Sequence, residues 1–259
     1  MPVLDRPCGR ISYQVSGSGS PAVLLSHGFA ATSAMFAANM PAIAASHEVI
    51  AWDLRGHGGS DYPADPESYR PAEALADMAA LLTHCGRDRA VLGGHSLGGY
   101  LSLDFALAFP DRVAALILID TGPGFRNEAA RDRWNGRAAG TADRLAQRGL
   151  GAIGSGAELH ANEHRDASGL ALAARHTLTQ RDSHVLDGLA AIAVPTLVIV
   201  GADDEPFLGA ADYMTAKIPM ARKIVIPDAG HAPNVDKPEL FDSAVIEFLA
   251  EITTAEGEA

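Results

Sequence analysis

The 259-residue chain is poor in cysteine and in basic residues, and it lacks any long apolar run. Its two cysteines, Cys8 and Cys85, form no C-x-x-C pair, so neither a disulfide framework nor a zinc site is indicated. The net charge of −12 argues against nucleic-acid binding, which needs clustered lysine and arginine. No apolar run reaches the roughly 18 residues of a membrane span, and no signal-peptide pattern is visible. We therefore expect a soluble, cytoplasmic protein.

Short apolar runs alternate along the chain with longer helical patterns. Strands are predicted at Arg10–Val15, Ala22–Ser26, Val49–Asp53, Ala90–Gly93, Val113–Asp120, Thr196–Val200 and Lys223–Ile226. Helices are predicted at Ser33–Ala45, Pro71–Cys85, Leu97–Phe109, Leu208–Lys217 and Pro238–Glu251. This alternation predicts an α/β fold, with a mostly parallel, twisted sheet and helices on both faces.

One segment, residues 125–191, shows no strand pattern and is rich in alanine and arginine. It is longer than an ordinary connection between two strands, so we predict a helical cap or lid here. The core domain would then comprise residues 1–124 and 192–259. The alternative is one or two ordinary crossover helices with long loops.

The stretch "AVLGGHSLGGYLSL" places a G-x-S-x-G pattern, Gly94 to Gly98, between a predicted strand and a predicted helix. This is the context of a nucleophile elbow, a turn so sharp that the central serine takes a strained backbone. Glycine is expected two residues on either side because side chains there would collide. The pattern predicts that Ser96 is a nucleophile. The alternative is a glycine-rich loop with no catalytic role, because a G-x-S-x-G pattern alone also occurs in such loops.

A serine nucleophile needs a histidine base, and the base needs a carboxylate to orient it. Asp203 and Asp204 follow one predicted strand, and His231 follows the next, so the order serine, acid, histidine is satisfied. We predict that His231 is the base and Asp204 the acid. Asp203 and Asp120 are the alternative acids, and Asp120 could equally cap its own turn.

Ester hydrolysis also needs hydrogen-bond donors for the oxyanion. The run His27-Gly28-Phe29 ends a predicted strand, and Leu97 directly follows the serine. We predict that the backbone N–H groups of Phe29 and Leu97 form the oxyanion hole. A simple turn is the alternative interpretation of the His-Gly pair.

Taken together, these pieces resemble the α/β-hydrolase superfamily over nearly the whole chain. The matching stretches are "HGF" at 27–29, "DLRGHGGSD" at 53–61, "GHSLGG" at 94–99, "GADD" at 201–204 and "GHAPNVDKPELF" at 230–241. The resemblance implies the triad and oxyanion donors given above, and a helical cap after the sixth strand. It also implies that Asp53, Arg55 and His57 organise loops. Haloalkane dehalogenases and epoxide hydrolases are set aside because their elbow carries an aspartate.

We predict a serine carboxylic-ester hydrolase that uses no cofactor or metal and acts on a small-molecule ester, as a monomer or homodimer. The predicted substrate-binding residues are Phe29, His95, Phe125, Trp134 and Phe207. A lactonase, a meta-cleavage-type carbon–carbon bond hydrolase and a small-molecule receptor on the same scaffold remain as alternatives. Arginines of the cap, namely Arg126, Arg131, Arg133 and Arg137, could steer an acidic substrate, although surface ion pairs are the simpler account.

Overall fold

The computed structural model describes residues 1–257, with side chains described up to residue 254. Its strands are β1 (Val3–Leu4), β2 (Ile11–Ser16), β3 (Ala22–Ser26), β4 (Val49–Trp52), β5 (Ala90–His95), β6 (Val113–Ile119), β7 (Thr196–Gly201) and β8 (Ala221–Ile226). They form one sheet in the order β1-β2-β4-β3-β5-β6-β7-β8. The pairs β1–β2 and β2–β4 are antiparallel and the others are parallel, which confirms the predicted mostly parallel sheet.

The helices lie between these strands and after the last of them. They are α1 (Met40–Ala44), α2 (Pro71–His84), α3 (Leu97–Ala108), α4 (Glu128–Arg148), α5 (Ala167–His176), α6 (His184–Gly188), α7 (Glu205–Lys217), α8 (Pro233–Asp236) and α9 (Pro238–Gly257). Short 3-10 helices add turns at Ser33–Phe36, Pro66–Tyr69, Pro110–Arg112, Gly149–Ala152, Ala161–Glu163 and Leu189–Ala191. Within residues 1–257, none of the helices is long and apolar enough to cross a membrane.

The predicted helix Ser33–Ala45 is wrong, because a 3-10 turn ends at Phe36 and α1 begins only at Met40. Pro41 lacks the N–H that a continuous helix would need at this point. Strand β1 was not predicted, since two residues are too few to show a period. Helix α7 begins at Glu205, three residues earlier than the sequence indicated.

Two apolar layers enclose the sheet, because strand side chains point alternately to its two faces. On one face, Leu24 and Leu92 pack with Phe105 of α3 and its neighbours. On the other face, Val23 and Phe241 belong to a second buried cluster that includes side chains of α1 and α9. All seven residues of β6 are buried, which explains its uninterrupted apolar sequence.

Between β6 and β7 the chain is helical, with α4, α5 and α6 and three of the 3-10 turns. Leu145 of α4 and Leu170 of α5 form a small buried cluster with Ala30, which follows β3. The helical segment therefore packs onto the loop that carries the predicted oxyanion donor Phe29.

The loop after β4 is held by buried charges. The Asp53 carboxylate accepts the N–H groups of Ser33 (2.7 Å) and Gly59 (2.9 Å). Arg55 makes two hydrogen bonds of 2.7 Å to the fully buried Asp77 of α2. These contacts match the expected role of Asp53 and Arg55 in organising loops.

Replacing Asp77 with alanine leaves the buried Arg55 guanidinium without its carboxylate. We expect Asp77→Ala to lower the free energy of unfolding by about 3–5 kcal/mol, measured by urea denaturation. The control is Asp212→Ala, which removes a solvent-exposed pair with Lys223 and should cost less than about 1 kcal/mol. An equal loss of unfolding free energy in the two variants would contradict the claim that the buried Arg55–Asp77 pair matters more than the exposed one.

Candidate active site

Ser96 occupies a sharp turn between the end of β5 and the start of α3. Its backbone has φ 49° and ψ −112°, in the positive-φ region that L-residues rarely adopt. A Cβ atom added to Gly94 would lie 2.2 Å from the carbonyl oxygen of Gly98. One added to Gly98 would lie 2.1 Å from the carbonyl oxygen of Ser26. Both glycines are therefore sterically required, as the sequence pattern predicted.

Two hydrogen bonds fix the strained turn in place. The Ser96 N–H donates to the carbonyl oxygen of Ile119 at 2.9 Å. The Thr121 hydroxyl donates to the Ser96 carbonyl oxygen at 2.6 Å. Both partners come from the end of β6 or directly after it, so the neighbouring strand holds the serine at the carboxyl edge of the sheet.

His231 and Asp204 meet at the same edge. Nδ1 of His231 lies 2.6 Å from Oδ2 of Asp204, which is buried, while the neighbouring Asp203 is exposed. Burial alone raises the pKa of Asp204, but hydrogen bonds from His231 and Asp120 outweigh it and bring that pKa below its ordinary value. Asp204 is therefore a carboxylate at neutral pH and accepts the Nδ1 proton, whereas Asp203 makes no such contact.

Asp120, the third candidate acid, lies beside this pair with a strained backbone, φ 40°. Its Oδ1 accepts the N–H of Gly201 at 3.0 Å. Its Oδ2 is buried without a donor in the part of the chain that the structure describes. Burial, together with the adjacent Asp204, raises the pKa of Asp120 to about 9. Asp120 thus carries a proton at neutral pH and can donate it to the Asp204 carboxylate.

Asp120, Asp204 and His231 also form the one group of described residues whose spacing could hold a metal ion, with ligand atoms within 4.8 Å of one another. Nδ1 of His231 and Oδ2 of Asp204 already share a hydrogen bond of 2.6 Å. The raised pKa of Asp120 indicates a proton on this carboxyl group beside the Asp204 carboxylate.

His95 has a structural position that the sequence did not indicate. Its Nε2 lies 2.6 Å from the carbonyl oxygen of His231, and its ring is 4.8 Å from the His231 ring, centroid to centroid. Burial lowers the pKa of His95 to about 3, so the ring is neutral and Nε2–H donates. His95 therefore fixes the backbone of His231, and it does not line the cavity described below, contrary to the sequence prediction.

The loop after β3 runs directly against the serine. A Cβ atom added to Gly28 would lie 3.2 Å from Cβ of Ser96 and 2.5 Å from Nδ1 of His95. The backbone N–H groups of Phe29 and Leu97 have no acceptor among residues 1–257. Two unpaired donors thus flank the serine turn, at the positions predicted for an oxyanion hole.

Buried histidines hold that loop. Nε2 of His57 accepts the Ala30 N–H at 3.2 Å, and Nε2 of His164 lies 2.9 Å from the Ala30 carbonyl oxygen. Nδ1 of His164 accepts the Gly58 N–H at 3.3 Å. Burial lowers the pKa of both rings, so both are neutral. Backbone groups therefore occupy both nitrogens of His164.

Ser96 and Leu97 line a cavity of about 240 Å³ between the sheet edge and the helical segment. Phe125, Trp134 and Phe207 line it as predicted. Phe29 does not line it, because its ring instead lies edge-on to His57, with centroids 5.8 Å apart. The volume lies below the range of about 300–1,000 Å³ typical of ligand pockets, so it suits a small substrate.

The comparisons with known proteins agree with this fold. A family model described as "alpha/beta hydrolase fold" matches residues 21–152, just over half of the chain. The 2-(acetamidomethylene)succinate hydrolase of Mesorhizobium japonicum is 30% identical over 263 residues, covering 93% of this chain and 92% of its own. The protein is therefore a hydrolase of the α/β-hydrolase family.

Two further relatives are esterases. The pimeloyl-(acyl-carrier protein) methyl ester esterase of Aeromonas hydrophila is 28% identical over 267 residues, covering 92% of this chain and 99% of its own. A structure of a thermophilic esterase from Thermogutta terrifontis, with malate bound, has a TM-score of 0.79 and 29% identity, and 94% of each chain is covered.

The serine turn gives a matched pair of glycine substitutions. We expect Gly98→Ala to destabilise the protein by at least about 3 kcal/mol, because its Cβ would collide with backbone. Gly136→Ala is the control, since an added Cβ on this exposed glycine of α4 would meet no described atom within 4 Å apart from its chain neighbours and the adjoining helix backbone. It should stabilise the protein by about 0.5–1 kcal/mol. Thermal unfolding of both variants tests this, and a stable Gly98→Ala protein would contradict the steric account.

The proton on Asp120 makes stability depend on pH. The folded protein keeps this proton up to about pH 9, whereas the unfolded chain releases it above its ordinary pKa of 3.8. The free energy of unfolding therefore falls as pH rises between these two pKa values, because folding requires the Asp120 carboxylate to take up a proton. Asp120→Asn removes this requirement. We expect the variant to gain stability over the wild type by up to about 1.4 kcal/mol per pH unit. Urea unfolding at several pH values tests this, and a difference independent of pH would show that Asp120 is ionised.

Proposed function

We propose that this hydrolase is a serine carboxylic-ester hydrolase that works through an acyl-enzyme. The observation that carries the proposal is the 2.6 Å hydrogen bond between His231 Nδ1 and Asp204 Oδ2, at the sheet edge where Ser96 sits in a strained turn. Nε2 of His231 has no hydrogen-bond partner among the described residues, so it is free to accept a proton. This arrangement supports Ser96, His231 and Asp204 as the proposed triad.

In the proposed reaction, His231 takes the hydroxyl proton as Ser96 attacks the ester carbonyl carbon. The N–H groups of Phe29 and Leu97 stabilise the negative oxygen that develops. His231 then protonates the leaving alcohol, and the acyl group stays on the serine. Water, activated by the same histidine, attacks the acyl-enzyme and releases the acid.

Asp204 stabilises the imidazolium that forms in each half of the reaction. The protonated Asp120 supports it by donating a hydrogen bond to the carboxylate, since two adjacent buried carboxylates could not both stay ionised. His95 positions the backbone of His231 from the other side. No step of this mechanism requires a cofactor or a metal ion.

The helical segment 125–191 acts in this proposal as a cap over the acyl site, because Phe125 and Trp134 line the cavity beside Ser96. The cavity of about 240 Å³ is smaller than most ligand pockets. We therefore propose a small ester as the substrate. The esterases among the relatives support this assignment.

The proposal is tested with 4-nitrophenyl esters of two to twelve acyl carbons. We expect hydrolysis that is fastest for short chains and at least about tenfold slower at the long end, because the cavity is small. Ser96→Ala and His231→Gln should each lower kcat by about 1,000-fold or more, and Asp204→Asn by a similar factor. Asp203→Asn is the matched control and should retain activity, since Asp203 is exposed and makes no contact with His231.

Equal activity in the wild type and Ser96→Ala would contradict the proposal. Absence of turnover on every chain length would also contradict it. Lactones, a dienone acid and direct ligand binding would then separate the lactonase, carbon–carbon hydrolase and receptor alternatives.

A further inference from the structure

The charges around the Ser96 cavity are uneven. Its lining is largely apolar, and among the described residues it includes one charged side chain, Arg137 of α4. No aspartate or glutamate of the described residues lines the cavity, although the chain as a whole carries a net charge of −12. A cation at the edge of an apolar cavity favours a ligand with an apolar body and an anionic end.

Two other arginines of the helical segment, Arg126 and Arg131, already have partners. Arg126 pairs with Asp187, at 2.6 Å between Nη2 and Oδ1. Arg131 donates to the carbonyl oxygens of Phe125 (3.1 Å) and Arg126 (2.9 Å). The Arg137 guanidinium has neither a hydrogen bond nor an ion pair within the described part of the chain. Surface ion pairs therefore explain Arg126, but they do not explain Arg137.

Hydrogen bonds fix the part of α4 that presents Arg137. The indole Nε1 of Trp134, one helical turn earlier, donates to the Leu178 carbonyl oxygen at 2.8 Å. The Asn135 side chain exchanges two hydrogen bonds of 2.8 Å with the backbone of Gln180. The cavity is lined by Trp134, Leu178 and Gln180. These hydrogen bonds therefore fix α4 in position beside the cavity, and they keep Arg137 in the cavity wall.

We infer that the substrate carries a carboxylate remote from the scissile ester, and that Arg137 binds this carboxylate. The inference rests on the proposed ester hydrolysis at Ser96. Guanidinium is planar and can give two parallel hydrogen bonds to a carboxylate, which makes it suited to this recognition. Because Arg137 is an exposed residue, the interaction should shift specificity moderately rather than decide activity outright.

The test compares two 4-nitrophenyl esters that differ in charge alone: the half-ester of glutaric acid and its terminal amide. We expect the wild type to prefer the acid in kcat/KM, and Arg137→Gln to reduce that acid-to-amide ratio about fivefold or more. The loss should appear in KM for the acid. Arg133→Gln is the control. It removes the same charge from α4 one helical turn away, and Arg133 does not line the cavity.

An acid-to-amide ratio that is equal in the wild type and both variants would overturn the inference. A binding measurement separates this result from a failure of the proposed function. Calorimetry with Ser96→Ala, using monomethyl glutarate and its terminal amide, needs no turnover. The inference is supported, even if no ester is hydrolysed, when the acid binds more tightly than the amide and this preference disappears on adding Arg137→Gln. Equal binding of the acid and the amide overturns the inference.

Discussion

The close approach of helix α3 to the strands beneath it is the constraint on which the rest of the site depends. A Cβ atom on Gly98 would overlap the carbonyl oxygen of Ser26 in β3, and one on Gly94 would overlap the carbonyl oxygen of Gly98. The chain can therefore reverse from strand to helix in one residue, but only with Ser96 at positive φ. The same reversal leaves the N–H of Leu97 without an acceptor among the described residues, so steric packing positions both the proposed nucleophile and one proposed donor.

A second constraint is the placement of charge in a buried volume. Asp204 stays ionised because it accepts hydrogen bonds, whereas Asp120 stays protonated because it is buried beside that carboxylate. The surrounding rings of His95, His57 and His164 are held neutral by burial and serve as hydrogen-bonding groups for the backbone. A single negative charge therefore faces His231, and it is available to stabilise the imidazolium form.

Much of this arrangement could be predicted from the sequence because local spacing encodes it. The glycines around Ser96 indicate a steric contact between positions four residues apart. Asp204 follows the apolar strand β7, and His231 follows the short apolar run that ends β8. The helix predicted at 33–45 failed where Pro41 interrupts the backbone hydrogen bonds. The positions of His95, buried behind the site, and of Phe29, turned toward His57, depend on tertiary packing, which carries no local period.

The central claim is that Ser96 is an activated nucleophile, and covalent labelling tests it most directly. A fluorophosphonate reacts with a serine hydroxyl only when a neighbouring base has activated it. Intact-mass spectrometry should show one adduct per chain, peptide mapping should place it on Ser96, and His231→Gln should abolish it. An unlabelled wild type, or an adduct on another serine such as Ser102, would contradict the account.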